Sequence, residues 1–150
     1  MVNPITQLEQ LTLNSRSKTF LKEISKWTFF FSIIGFVGIA LMVLIGILMG
    51  TIYAPILDMV GKQQALPFNI GMFMSIFYIV MAIIYIFPVL YLFKFSRKMK
   101  VALASKSDDG LADAFEMLKS HYKFIGVFTI IILSLYTLLF VTSLFAGSLI

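Results

Sequence analysis

Three long apolar runs, at 27–53, 68–93 and 124–150, alternate with polar segments at 1–26, 54–67 and 94–123. No run contains a charged residue. At about 1.5 Å per residue, roughly 20 apolar helical residues cross a bilayer's hydrocarbon core, and each run reaches that length. The pattern predicts an all-α integral membrane protein with three transmembrane helices. The first run is far longer than the apolar core of a cleavable signal peptide, about 7–15 residues, and it follows a polar, helix-forming leader, so no cleavage is expected.

The polar segments carry patterns of their own. Within 1–26, Phe20 and Ile24 continue through Trp27 to Phe31 along one helical face, with Lys18, Lys22 and Lys26 on another. This spacing suits either a helix lying on the cytoplasmic interface or a straight lead-in to the first crossing. The segment 54–67 contains Pro55, Gly61 and Pro67 and reads as a short interfacial turn. In 94–123, one stripe of Phe95, Met99 and Leu103 precedes the turn signal Ser107-Asp108-Asp109-Gly110. A second stripe of Leu111, Phe115 and Leu118 follows it. Two striped helices about a short turn predict a cytoplasmic helical hairpin extending helices two and three, with the acids capping the second arm and Lys98 near acids such as Glu116. An exposed ion pair contributes only about 0–1 kcal/mol, so the stripes must hold the hairpin. The organisation is therefore an N-terminal segment, 1–26, and a three-helix transmembrane domain, 27–150.

Charge adds orientation. Arg16, Lys18, Lys22 and Lys26 precede the first run, and Lys94, Arg97, Lys98, Lys100, Lys106, Lys119 and Lys123 lie between the second and third. The 54–67 segment carries Lys62 against Asp58. Basic flanks resist translocation, so the N-terminus and second loop are expected in the cytoplasm and the C-terminus outside. Trp27, Tyr53, Tyr91 and Tyr122 border the runs as interfacial aromatics do. The composition, 60% hydrophobic and 13% charged with a formal net charge of +5, agrees with topogenic charge better than with nucleic-acid binding. With no cysteine, disulfides, thiolate catalysis and Cys-ligated metals are excluded.

Candidate contacts follow from the runs. In the first, Gly35, Gly38, Met42, Gly46 and Gly50 recur every three or four residues, forming a small-residue face for close helix packing, within the chain or with a partner. In the second, Met74, Tyr78, Met81, Tyr85 and Pro88 share a face that reads as ordinary core ahead of a pore or groove, and Pro88 is expected to kink the helix. His121, the single histidine, has no acid or cysteine at ligand spacing and reads as an interfacial residue. Hydroxyls in the runs, Ser32, Ser75, Thr129, Ser134, Thr137 and Thr142, are expected to bond back to their own helices. No Asp, Glu, Lys, Arg or His lies in the centre of a run, as ion-coupled transport and voltage sensing generally need. No catalytic, metal-binding or cofactor-binding residues are predicted, and no enzyme is expected.

The stretches FPVLYLFKFSRKM at 87–99 and AFEMLKSHYKFIG at 114–126, with the Gly-rich first run, resemble a family of small bacterial inner-membrane proteins of unknown function. The resemblance spans roughly residues 20–145. It implies a bacterial cytoplasmic-membrane address and no activity. The expected role is that of a non-enzymatic accessory or scaffolding subunit, embedded in lipid with a membrane-protein partner or further copies of itself. A channel or transporter component is the alternative, and a lipid-modifying enzyme stands behind both because no interfacial polar cluster is evident.

Overall fold

The computed structural model describes residues 13–59 and 69–147, all of them helical or in short connections. Helix α1 is Ser15–Leu48, a π-helical segment covers Met49–Tyr53, α2 is Ala54–Met59, α3 is Ile70–Ser105 and α4 is Asp108–Gly147. Three helical stretches are long and apolar enough to cross a membrane: Ser15–Leu57, Ile70–Ser105 and Asp108–Phe145. At about 1.5 Å per residue each runs well beyond a ~30 Å hydrocarbon core. In each case the excess is the charged end.

Local chemistry sets the boundaries. The Asn14 side chain accepts the Ser17 N–H at 2.7 Å and starts α1, and the Asn69 side chain accepts the Met72 N–H at 2.9 Å and starts α3. The leader from Ser15 onward is continuous with the first apolar run, as the lead-in alternative has it; residues 1–12 lie outside the described residues. The first run also fails to stop at Tyr53. A wider π turn carries it into α2, with Pro55 just past that turn, where it has no N–H to give the carbonyls one turn back. The interfacial turn expected over 54–67 is thus helical as far as Met59, and the rest lies outside the described residues.

The α3–α4 connection is shorter than the sequence suggests. Lys106 sits in the left-handed region at φ 54°, its N–H reaching the Ala102 carbonyl, and Ser107 follows as N-cap. The Ser107 hydroxyl, not an acid, accepts the Gly110 N–H at 3.0 Å, while Asp108 and Asp109 occupy the first turn of α4. Gly110 is therefore helical, and α4 begins three residues earlier than a four-residue turn would allow. That shift corrects the expected pairing: Lys98 meets Asp113 at 2.9 Å rather than Glu116.

Helix α3 lies between α1 and α4 and packs on both. Close to the turn, Phe95, Met99 and Ala114 are fully buried, with Leu103, Leu111, Met117 and Leu118 around them and Leu21 of α1 closing the cluster. Phe115, which the stripe places in this contact, is 43% exposed and touches Phe95 only at the rim, ring centroids 6.4 Å apart. Its neighbour Ala114 takes the buried position.

Candidate functional site

The α1–α3 crossing is built from small residues. Ser25, Thr28, Ser32 and Gly46 are the buried positions of α1. A methyl group on Gly35 would lie 2.7 Å from Val89, and one on Gly46 would lie 3.0 Å from Ile79 and 3.3 Å from the Ser75 carbonyl. On Gly50 it would meet the Ser75 hydroxyl at 2.8 Å. These three glycines thus face α3 of the same chain. Gly38 does not: a methyl group there would meet no other part of the chain within 4 Å. At about 100° per residue it is turned roughly 100° away from the line of buried positions. Met42 is half-buried. The tightest approach involves a glycine outside this set. A Cβ on Gly71 would stand 2.6 Å from the Ala54 Cα, so there the two backbones are in direct contact.

At the opposite end the same crossing is closed by a reciprocal pair. The Ser25 hydroxyl donates to the Ser96 carbonyl at 2.8 Å, and the Ser96 hydroxyl donates to the Ser25 carbonyl at 2.7 Å. Both serines are almost fully buried. Two polar groups enter the core there, each satisfied by the other's main chain.

Beside this pair opens a cavity of about 780 Å³ between α1 and α3. Lys22, Lys26, Arg97 and Lys100 line it, with Phe29 and Phe93 on the side of the apolar runs. The Phe29 and Phe93 rings stand 5.8 Å apart, and the Arg97 guanidinium lies 5.6 Å from the Phe93 centroid. No aspartate or glutamate lines the cavity among the described residues. Sequence reasoning missed this site because its halves lie some seventy residues apart and each looks like a topogenic flank. The available signal was the four-residue spacing of Lys22 and Lys26 set against Arg97 and Lys100 on an antiparallel neighbour.

The remaining candidates are structural. His121 Nδ1 lies 2.8 Å from the Pro88 carbonyl oxygen, which can only accept, so the imidazole donates and links α4 to α3 beside the proline. Tyr78 packs near Gly46 of α1 whereas the Tyr85 ring meets Phe128 of α4 at 6.4 Å, so the second-run tyrosines serve different neighbours. Met74 is exposed and Met81 half-buried. Ser32, Ser134, Thr137 and Thr142 bond back to carbonyls three or four residues earlier on their own helices. Among the described residues, no group of three His, Cys, Asp or Glu side chains could hold a metal ion.

Fold and site together define an all-helical protein with three helices of membrane-crossing length and a basic cavity at one end. The model of a family of unknown function, DUF5362, matches residues 69–144, and the chain belongs to that family. The match runs from the Asn69 cap through α3 and nearly all of α4, leaving α1 outside it. No curated protein and no solved structure matches the chain.

Proposed function

We propose that the protein is a non-catalytic subunit of the bacterial cytoplasmic membrane, crossing it three times. In this reading its N-terminus and α3–α4 turn are cytoplasmic, its C-terminus is outside, and it works as an accessory or scaffolding partner of another membrane protein. One observation carries the orientation: every described lysine and arginine lies at the end of the bundle formed by the start of α1 and the α3–α4 turn. The ends of α3 and α4 then form the cytoplasmic hairpin, and the Leu21 contact makes α1 its third arm.

The accessory role is supported by what the bundle leaves uncovered. Three of the four predicted glycines are taken up by internal packing. Beyond Phe128, the described side chains of α4 stay exposed apart from a half-buried Ile132. The hydroxyls of Ser134, Thr137, Thr142 and Ser143 are turned back onto the helix, so the surface offered is mostly apolar. A transmembrane helix of the partner protein would cover it.

Single-cysteine labelling tests the orientation without interference, since the native chain has no cysteine. Cys replacing Met59, which is 88% exposed, should react with a membrane-impermeant maleimide added outside intact cells, and Cys replacing Asp109 should not. The reverse pattern would refute it. For the role, a photo-crosslinking residue at Leu138 should give one heterologous protein adduct that the same residue at Ile33 of α1 does not give. Adducts to lipid alone, or only to a second copy, would refute the accessory reading.

A further inference from the structure

We infer that the cavity between α1 and α3 binds the phosphate headgroup of an anionic phospholipid, with an acyl chain running over Phe29 and Phe93. The inference rests on the proposed membrane setting. The cavity has the polarity of an amphiphile. Its cations stand toward the charged end of the bundle, its rings toward the apolar runs, and the Ser25–Ser96 clasp closes the wall between them.

The cations are also without ion pairs among the described residues. Lys98 is held by Asp113. No carboxylate lies within ion-pair distance of Lys22, Lys26, Arg97 or Lys100 among the described residues, and Glu23, next to Lys22 in sequence, does not line the cavity. Four like charges around one concavity repel one another, and a diester phosphate would relieve that repulsion while accepting bonds from the lysines and the guanidinium fork. Basic pockets between helices at a cytoplasmic border hold anionic headgroups by this chemistry. A soluble phosphate offers the same anion without the chain. The ring-lined side of the cavity favours the lipid.

The test uses the full-length protein in a neutral detergent, so it does not depend on which way the chain faces in the membrane. Native mass spectrometry measures binding of dioleoylphosphatidylglycerol, dioleoylphosphatidylcholine and inorganic phosphate. Wild type should prefer the phosphatidylglycerol by roughly tenfold or more, and Lys26→Gln with Arg97→Gln should weaken its binding roughly thirtyfold. Lys106→Gln with Lys119→Gln removes the same charge from outside the cavity and should leave affinity within about twofold, since distant exposed charges are screened. Arg97→Lys with wild-type Lys26 should keep the preference for phosphatidylglycerol. Equal affinity for the two lipids would overturn the inference, as would an equal loss in both double variants. Binding of inorganic phosphate as tight as that of the lipid would overturn the lipid assignment.

Discussion

Replacing Gly71 with alanine tests the closest point of the fold. The new methyl would sit 2.6 Å from the Ala54 Cα, 2.8 Å from its Cβ and 2.9 Å from its nitrogen, where ordinary contact begins at 3.4 Å. None of these atoms belongs to a side chain that can swing aside. Relief requires α3 and the α1–α2 stretch to part by several tenths of an ångström, which loosens every contact that depends on the close approach. Overpacking of this kind costs about 1–3 kcal/mol, and a contact against main chain belongs in the upper half of that range. Two controls calibrate the result. Gly50→Ala meets the Ser75 hydroxyl, which can rotate, and the Ser75 Cβ at 3.2 Å, which needs only a few tenths of an ångström of give, and should cost about 1 kcal/mol, less than Gly71→Ala. Gly38→Ala enters open space and should be neutral or gain up to about 1 kcal/mol from helix propensity. Thermal unfolding in mild detergent gives the order of the three variants. Hydrogen exchange at 50–59 and 70–76 shows whether damage is confined to this end. If Gly71→Ala unfolds with Gly38→Ala and both regions keep wild-type protection, the backbones do not touch there and the packing argument is wrong.

Two further outcomes follow from the charged end. Ser25→Ala and Ser96→Ala should each destabilise by about 0.6–1.7 kcal/mol, and a double-mutant cycle in detergent should show coupling of at least about 0.5 kcal/mol because the two bonds share the same residues; strict additivity would mean that the clasp is not made. Lys106→Gly should raise stability by about 0.5–1 kcal/mol, as glycine takes the left-handed φ of 54° without the strain lysine bears, and a lower melting temperature would contradict that backbone.

The helices were legible because length and uninterrupted apolarity are properties of one segment at a time. The α3–α4 register was only partly so. Phe95 and Met99 stand out as large apolar side chains at helical spacing, and both are fully buried. Ala114 does not, and a stripe drawn through the bulkier Phe115 lands one residue too far. The turn misled for a related reason: glycine suggests a left-handed residue, but Gly110 is wanted small because a Cβ there would press on Ala102 at 3.2 Å, and lysine takes the left-handed position instead. Contacts between distant segments left the least trace. Ser25 and Ser96 look like polar residues among lysines, and Ala54 continues the four-residue spacing of Gly46 and Gly50 only past the end of the first run, while Gly71 has just Ser75 at that spacing. Each pair has meaning only once α1 and α3 run antiparallel.

The two neighbours of α3 are held by different means, which accounts for the shape of the uncovered surface. Toward α1, the paired positions are Ser25 with Ser96, Gly35 with Val89, Gly46 with Ser75 and Ala54 with Gly71, so small residues keep the backbones close over the whole length. Toward α4, contact begins with the tight cluster at Ala114 and passes through His121 to a set of rings: Phe87 on Phe124 at 6.2 Å, Phe124 on Phe128 at 6.4 Å and Tyr85 on Phe128 at 6.4 Å. Rings of that size hold axes apart. Past Phe128, leucine, isoleucine and phenylalanine dominate α4, with no glycine before Gly147 to let α3 back in. In water such a surface would collapse or aggregate. In a bilayer, apolar contact with lipid removes most of the force that would drive it home, so association there needs shape and close packing, which this chain spends on α1. The C-terminal half of α4 is thus left uncovered by the same choice of residues that fastens α1 to α3.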